Sequence, residues 1–451
     1  MMSEITPHWK AALPVILLFS LALNSCASRS ATPVLPLPPA APTPPLWTDA
    51  ERAACVTFWS RPGRMQVSLT PPRATLTPEA SVWFSTFNRA LRAAPPADAE
   101  AWKTWVDAKF AHDRWEAAQT AGASSAAPEP IAPGPIPPSL LRASGDPPPL
   151  AAALVPRRYV INLGDGPPLT YTAPIAAPPR YPSYRFAEGV ISGGASLRQM
   201  SAADLDDLMR ASGLTPFEAH VIGAVSRLEG GFDAVNTYDT GFVSVGFIQF
   251  ITASGGDGSL ASVLTAEKAN APGDFARDFH VRGIDVTSQG IYAALDPATG
   301  AELTGAEAVQ KTIHDPRLVA VFQAAGRSSR AFRIAQIQTA KRGYYPAADP
   351  LTMTLPGGAT LTGRVGDVLR SEAGMATAFD RKVNTGHAGP EVAAAVASVM
   401  AAHGLKSLAD VAPYEREMVA ALKYRADFLA DKTLGQPPVP PLGGNGQGAA
   451  Q

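Results

Sequence analysis

Cysteine and charge are both scarce in this 451-residue chain. Only Cys26 and Cys55 occur, so the fold cannot rest on a framework of several disulfides. Charged residues make up 17% of the chain and the net charge is −1, with no long basic run, which argues against nucleic-acid binding. The seven histidines lack metal-ligand spacing and no nucleophile-elbow motif occurs. We therefore expect no metal, no other cofactor and no hydrolase triad.

The apolar run near the N-terminus is short. Residues 11–23 (AALPVILLFSLAL) fit the apolar region of an export signal and are too few to cross a bilayer comfortably. The next residues end in Leu-Asn-Ser-Cys26, which resembles a bacterial lipobox. The resemblance implies a signal peptide over 1–26, lipid on Cys26 and a membrane anchor. Ala27 carries no acidic retention signal, which favours the outer membrane. The alternative is an ordinary cleaved signal in which Cys26 is incidental.

Proline, with 44 residues, is abundant and divides the chain. Segment 27–46 reads as a Pro/Ala-rich tether and segment 121–150 as a second Pro-rich linker. The tail 433–451 has the composition of a disordered segment. These segments predict a globular part that is held away from a membrane surface and interrupted by irregular chain.

Residues 47–120 are predicted to form a small helical domain. Thr48 and Glu51 match a capping box, and Cys55 lies in a helical pattern that favours a buried, inert thiol. The region is rich in tryptophan, and such rings either stack on sugars or form the core of a bundle; the core interpretation is favoured. The tryptophans in question are Trp83, Trp102, Trp105 and Trp115.

The remainder of the chain is predicted to be mainly α-helical with a small β-hairpin or sheet. Residues 151–196 contain two β-prone segments separated by GDGPP, which indicates a hairpin followed by a connecting loop. Residues 197–432 show repeated helical patterns and form the main domain. Within it, Thr215-Pro216 is a typical helix start.

The stretch LEGGFDAVNTYDTGFVSVGFIQF, 228–250, is the most specific in the chain. Glu229 lies at the edge of the apolar stripe of the helix that begins at Thr215, and Gly230-Gly231 predicts that the helix ends directly after it. Apolar surroundings and the negative end of the helix dipole both oppose ionisation. We therefore expect a raised pKa for Glu229, as a general acid requires.

A hairpin is predicted after Glu229, turning near Asp239-Thr240-Gly241. Its second strand alternates Val243, Val245 and Phe247 with Ser244, Gly246 and Ile248, so a face of small residues would admit a sugar close to the backbone. Asp239 is the candidate second carboxylate; a solvated helix-terminal Glu and a turn-forming Asp are the ordinary alternatives. Asp233 competes with Asp239 but is better placed to cap the turn. The candidate substrate-binding residues are Asn236, Tyr238, Ser244, Gly246, Gln249 and Asp257.

The chain resembles the lysozyme-like superfamily, and in particular the family 46 chitosanases and related bacterial cell-wall domains. The residues that carry this resemblance are Glu229, Asp239 with Gly241, and Gly246 to Phe250. The resemblance covers about 197–430 and implies a two-lobed helical domain in which a helix-terminal Glu faces a small sheet across a cleft. The loop SGGDG with Asp257 and the stretch 365–386 extend it, and Asp380 and Asn384 are interpreted as structural.

The functional expectation is an envelope lipoprotein that cleaves a β-1,4-linked amino-sugar polymer, most directly peptidoglycan. Glu229 would protonate the leaving oxygen, and Asp239 would activate water or stabilise the oxocarbenium-like transition state. If Glu229 acts alone, a lytic transglycosylase route is open. The alternatives are a non-catalytic peptidoglycan-binding lipoprotein and a chitosanase-like hydrolase acting on an external polymer.

Overall fold

The computed structural model describes residues 44–120, 122, 128–173, 189–195, 197–355 and 358–439. The predicted signal peptide, lipidation site Cys26 and most of the tether lie outside the described residues. Among those described, no single helix is long and apolar enough to cross a membrane; one pair, Gly389–His403 with Leu408–Leu422, satisfies length and composition but is bent by 86°.

The described chain is mainly α-helical with small antiparallel sheets, which confirms the predicted fold class. The helices are α1 (Asp49–Ser60), α2 (Pro78–Ala93), α3 (Pro96–Thr120), α4 (Pro138–Ser144), α5 (Ala202–Ala211), α6 (Pro216–Ser226), α7 (Ser259–Asn270), α8 (Pro272–Asp278), α9 (Ala306–His314), α10 (Pro316–Ser328), α11 (Arg330–Tyr344), α12 (Val365–Val368), α13 (Glu372–Thr385), α14 (Gly389–His403) and α15 (Glu415–Leu422).

The strands are short. They are β1 (Met65–Leu69), β2 (Arg73–Leu76), β3 (Ala151–Leu154), β4 (Arg157–Ile161), β5 (Leu169–Ala173), β6 (Ile191–Ser192), β7 (Val235–Asn236), β8 (Ser244–Val245), β9 (Phe250–Ile251), β10 (Ile284–Val286), β11 (Tyr292–Leu295), β12 (Glu302–Thr304), β13 (Pro350–Thr354) and β14 (Thr360–Arg364). The sheets follow the orders β1-β4-β5, β2-β3, β6-β7-β8-β9, β10-β11-β12 and β13-β14. The predicted hairpin of residues 151–196 is confirmed as the antiparallel pair β4 and β5, in which Tyr159 lies opposite Tyr171.

One large core unites the main domain. Helix α7 packs on α11, and α6 packs on α13. Helix α6 begins as predicted: the Thr215 side chain caps it, Glu218 completes a capping box and Pro216 occupies the first turn. Residues 221–226 of α6 are all buried, so the helix is held by its packing rather than by propensity alone.

Helix α1 joins this large core, which differs from the predicted grouping of residues 47–120. Its Thr48–Glu51 capping box forms as expected. Trp47 stacks on His280 with ring centroids 5.3 Å apart, and Trp59 donates to the carbonyl of Arg282 at 3.1 Å. Cys55 is buried, as predicted, and burial raises the pKa of its thiol to about 11, which disfavours the reactive thiolate. The composition of α1 carried no sign of which core it would join.

A second, smaller core forms where helices α2, α3 and α4 meet. Trp83 and Trp102 are buried in it, which confirms that these tryptophans form a core. The predicted linker 121–150 is only partly irregular, because it contains α4, and Trp102 donates to Ser139 in that helix at 2.9 Å. The proline-rich composition of this segment therefore gave no indication of α4, the short helix that completes the small core.

Candidate functional site

Glu229 lies in a tight turn just after helix α6. The helix ends at Ser226, three residues earlier than predicted. Beyond it, the backbone N–H of Leu228 donates to the Val225 carbonyl at 2.9 Å, and that of Glu229 donates to the Ser226 carbonyl at 3.2 Å. These bonds to the third preceding residue tighten the end of the helix and hold the backbone at Glu229. Glu229 is therefore anchored by backbone bonds on its own segment.

The predicted role of Gly230-Gly231 as a helix cap is wrong. The residue that caps α6 is Arg227, and neither glycine has a positive φ. A Cβ on Gly231 would lie 2.0 Å from the carbonyl oxygen of Ala195, and a Cβ on Gly230 would lie 2.6 Å from Cβ of Ala234. The two glycines are required because neighbouring segments press directly against the chain beside Glu229.

The Glu229 carboxylate meets an arginine that the sequence did not indicate. One Arg425 terminal nitrogen donates to Glu229 Oε1 at 2.5 Å, and the same nitrogen also donates to Asp380 Oδ1. Arg425 Nε donates to Asp380 Oδ1 at 2.8 Å. The Asp380 side chain is 1% exposed and that of Glu229 is 5% exposed. Two buried carboxylates thus share one guanidinium.

Charge balance in this cluster opposes ionisation of Glu229. Burial raises the pKa of the Glu229 carboxyl above its ordinary value, Arg425 opposes this rise, and the charge of Asp380 reinforces it. A hydrogen bond with Asn384 adds a smaller effect in the direction of Arg425. One guanidinium carries one positive charge against two carboxylates, so the charge of Asp380 adds to the burial that raises the pKa of the Glu229 carboxyl. The expected direction of the pKa shift is confirmed.

Asp380 and Asn384 lie one turn apart on α13, the helix that packs against α6. Asn384 Nδ2 donates to the Asp380 carbonyl at 2.7 Å and contacts its carboxylate at 3.3 Å. Asp380 also accepts the Arg425 backbone amide at 3.3 Å. The two residues therefore hold Arg425, which contacts Glu229. This is consistent with the predicted structural role, and the structure they support includes the candidate acid.

Asp239 lies in the predicted hairpin turn, and the antiparallel pairing of β7 and β8 confirms that hairpin. Its carboxylate accepts from Asn236 Nδ2 at 2.6 Å and from the Gly241 amide at 2.9 Å. Asn236 in turn accepts the Tyr238 amide at 3.0 Å. These contacts are those of a residue that organises a turn. Asp239 is partly exposed, so its assignment as second carboxylate stays a prediction.

The face of small residues predicted on the second strand is covered. Strand β8 is only two residues long, and Ser244, Val245 and Phe247 are all buried, so both faces of this segment point into protein. A Cβ on Gly246, at φ +86°, would lie 2.1 Å from Gln336 Oε1, so that glycine accommodates a side chain from α11. The predicted alternation of buried and accessible side chains is wrong here because the sheet is enclosed on both sides.

The other predicted substrate-binding residues lie in different surroundings. Asn236 is 7% exposed, Tyr238 packs against the small core of α2 to α4, and Asp257 is exposed on the loop before α7. Gln249 is partly exposed, and its side chain donates to the Gly246 carbonyl at 2.9 Å. The nitrogen of that side chain lies 3.9 Å from the Cβ position of Gly230, so Gln249 is the member of the set placed next to the Glu229 turn.

Backbone strain is concentrated in the same region. Among the described non-glycine residues, positive φ values occur at Phe242 (69°), Gln249 (56°) and Ala253 (55°), all within twelve residues. Left-handed backbone at such residues costs on the order of 1 kcal/mol each. Strain of this kind persists only where surrounding packing enforces it, and it often accompanies function.

A groove of about 580 Å³ is lined in part by residues that adjoin Glu229 and Arg425 in the chain. Its lining includes Leu228, which directly precedes Glu229, and Ala426, which directly follows Arg425. The N-terminal wall comes from the start of α5, where Ala202 is exposed. The volume lies in the range typical of ligand sites. A ligand in this groove would lie next to the backbone that carries both Glu229 and Arg425.

Asp233, the alternative candidate for the second carboxylate, forms structural contacts with other parts of the chain. It is 2% exposed, accepts the Ala195 amide at 2.7 Å and accepts from Arg327 Nε at 2.6 Å. These partners are 38 and 94 residues away in the chain, so Asp233 joins distant segments where a turn-capping role was predicted. Asp233 links the segment around Ala195, whose carbonyl lies against Gly231, to helix α10.

One group of possible metal ligands was found among the described residues, and it lies far along the chain from Glu229. His112, Asp113 and Glu116 on α3 place their ligand atoms within 4.8 Å of one another. Asp113 already accepts the Leu150 amide at 2.6 Å and pairs with Lys109 at 3.0 Å. The group is accounted for by contacts that close the small core.

Outside the candidate site, Glu267 is another buried acid whose pKa is raised. It is 1% exposed, and burial together with Asp278 and Asp274 raises the pKa of its carboxyl to about 9. A carboxyl whose pKa is raised on folding stabilises the protein below its unfolded pKa and loses that contribution as pH rises through the folded value. The free energy of unfolding should therefore fall from about pH 5 to about pH 8, and Glu267→Gln should flatten this slope. Urea unfolding at both pH values measures it, and parallel pH dependences in both proteins would contradict the assignment.

No protein-family model matches the chain, and neither the curated proteins nor the solved structures contain a match.

Proposed function

We propose that residues 197–432 form a glycosidase that cleaves a β-1,4-linked amino-sugar polymer, with peptidoglycan as the favoured substrate and Glu229 as general acid. The observation that carries the proposal is the sharing of Arg425 by two buried carboxylates, Glu229 and Asp380. Burial and the charge of Asp380 raise the pKa of the Glu229 carboxyl, which is the direction that a general acid requires.

The same arrangement supports both halves of the catalytic cycle. In the resting state the protonated Glu229 can donate to the oxygen of the glycosidic bond as that bond breaks. The carboxylate that remains is already within 2.5 Å of the Arg425 guanidinium, which stabilises it without rearrangement. Asp380 and Asn384 then act as positioning residues, because they hold Arg425 in place.

Asp239 is proposed as the second carboxylate, with its orientation set by Asn236 and Gly241. In that role it would activate water or stabilise the oxocarbenium-like transition state. If Asp239 does not reach the substrate, the reaction would follow the lytic transglycosylase route, in which a hydroxyl of the substrate attacks. Neither route needs a cofactor.

The second candidate function is non-catalytic binding of the same polymer. It is favoured by the small exposure of the Glu229 side chain, 5%, since a sugar reaches this carboxyl only if neighbouring side chains move. Incubation of the purified protein with peptidoglycan sacculi and with chitosan separates the candidates. Soluble muropeptides support the proposal, and their end groups, anhydro or reducing, identify the route. Retention on sacculi with no soluble product from either polymer refutes the enzyme proposal.

The envelope location is a separate proposal, because it rests on the sequence around Cys26 alone. If Cys26 carries lipid, Cys26→Ser should move the protein from the membrane fraction to the soluble fraction after cell disruption. Durable anchoring by several acyl chains on one residue predicts nearly complete transfer. Cys55→Ser is the matched control and should leave the distribution unchanged. A Cys26→Ser protein that stays with the membranes rules out the lipid anchor.

A further inference from the structure

The N-terminal end of helix α1 meets the main domain at His280. One ring nitrogen of this histidine, Nδ1, lies 2.6 Å from Asp285 Oδ2, and the other, Nε2, lies 3.3 Å from Glu51 Oε1. Trp47, just before α1, stacks on the imidazole and donates its indole N–H to the His280 carbonyl at 3.0 Å. Glu51 belongs to α1 and Asp285 to β10, so the histidine joins α1 to the main domain.

Because both ring nitrogens face carboxylates, the attraction across this contact depends on the protonation of His280. A protonated imidazole donates from both nitrogens and satisfies Asp285 and Glu51 together. A neutral imidazole has one N–H, and Asp285 retains it, since that carboxylate is 1% exposed and costly to leave unpaired. Nε2 then presents a lone pair to the Glu51 carboxylate, and the attraction to α1 is lost.

The carboxylates around His280 favour its protonated form. The hydrogen bond with Asp285 raises the pKa of the imidazole above its ordinary value, burial lowers it, and Glu51 raises it further. The other charged groups on the neighbouring elements are already paired: Lys268 of α7 with Asp285, Arg52 of α1 with Asp49 and Glu302, Arg277 of α8 with Asp278, and Arg282 with Asp165.

We propose that Trp47, Glu51, His280 and Asp285 form a pH-sensitive clasp, which holds α1 against the main domain while His280 is protonated and loosens when the proton leaves. The clasp is complete below the ordinary imidazole pKa of 6.5 and weakens as pH rises through the higher value of the docked state. Helix α1 directly follows the predicted tether, so the clasp sets how firmly the domain is held at that end. No residue of the Glu229 cluster takes part, so the inference is independent of the proposed function.

Cys55 reports the opening of α1. Its thiol is buried and lies 3.0 Å from the Cβ position of Gly283 in the main domain, so a thiol reagent reaches it only when α1 lifts away. The full-length protein is treated with a water-soluble maleimide at about pH 6 and about pH 9. Mass spectrometry of the Cys55 peptide separates this signal from that of Cys26. The labelling rate divided by that of urea-unfolded protein at the same pH gives the opening constant, because the ratio removes the titration of the thiol itself.

The opening constant of wild type should rise between these pH values by about two- to fivefold more than that of Glu51→Gln, the range expected of a partly exposed ion pair. Glutamine keeps the capping box with Thr48, and its amide can donate to a neutral ring or accept from a protonated one, so the contact no longer depends on pH. Glu218→Gln is the matched control and should show the wild-type response, because Glu218 completes the same kind of capping box on α6 but contacts Lys341.

His280→Gln tests the clasp from the other side of the contact. Its side chain is uncharged at every pH, so the opening constant should show the same reduced pH response as in Glu51→Gln. A wild-type pH response in either variant overturns the clasp. Opening constants equal to the global unfolding constant measured in urea also overturn it, because α1 would then open only with the whole domain.

Discussion

Glu229→Gln should lower kcat on a susceptible glycan by about 10²–10⁴-fold, the usual contribution of a general acid. Glutamine keeps the shape of the side chain and can still accept a hydrogen bond from Arg425, but it has no acidic proton for the leaving oxygen. KM should change little, because the carboxyl is only 5% exposed and contributes little to ground-state binding. Release of soluble fragments from sacculi, measured against enzyme concentration, gives the result.

Two controls separate chemistry from folding. Glu218→Gln alters a second glutamate associated with α6; glutamine can still complete the capping box with Thr215, so turnover should stay near wild type. The unfolding free energy of Glu229→Gln should equal or exceed that of wild type, since a neutral amide replaces a buried carboxyl whose pKa is raised by folding. Undiminished turnover in Glu229→Gln would remove this residue from the catalytic assignment.

Local sequence signals predicted the elements around the site well. Thr215, Pro216 and Glu218 define the start of α6 through capping chemistry that needs no tertiary information. The hairpin of β7 and β8 followed from its turn residues. The placement of Glu229 at the edge of the apolar stripe predicted its burial and the direction of its pKa shift.

Long-range contacts could not be predicted in the same way. Arg425 is 196 residues from Glu229 in the chain and lies just beyond the end of α15. No periodicity links an arginine to a carboxylate across such a distance. The requirement for Gly231 was equally hidden, because the atom that excludes a side chain there belongs to Ala195.

Arg425→Met should be the most destabilising single change in the site, lowering the free energy of unfolding by about 3–5 kcal/mol. The substitution keeps much of the side-chain volume but leaves Glu229 and Asp380 buried together without the guanidinium that both contact. The pKa of Glu229 should rise further, because Arg425 opposes its rise in the native protein. A carboxyl with a raised folded pKa is least costly when protonated, so the variant should recover stability at low pH and lose it as pH rises above about 4.5.

A second substitution tests whether this loss is electrostatic. Asp380→Asn in the Arg425→Met background removes one of the two carboxyls that have lost the guanidinium and should restore part of the lost stability, whereas a cavity or packing defect would not respond to it. Arg370→Met is the matched control: Arg370 is exposed and its guanidinium contacts the carbonyl of Asp367, so the expected change is within about 0.5 kcal/mol. Urea unfolding of wild type, Arg425→Met, the double variant and Arg370→Met at two pH values measures these differences. An Arg425→Met loss that is independent of pH and unrelieved by Asp380→Asn would mean that Arg425 acts through packing and that the shared-charge account of Glu229 is wrong.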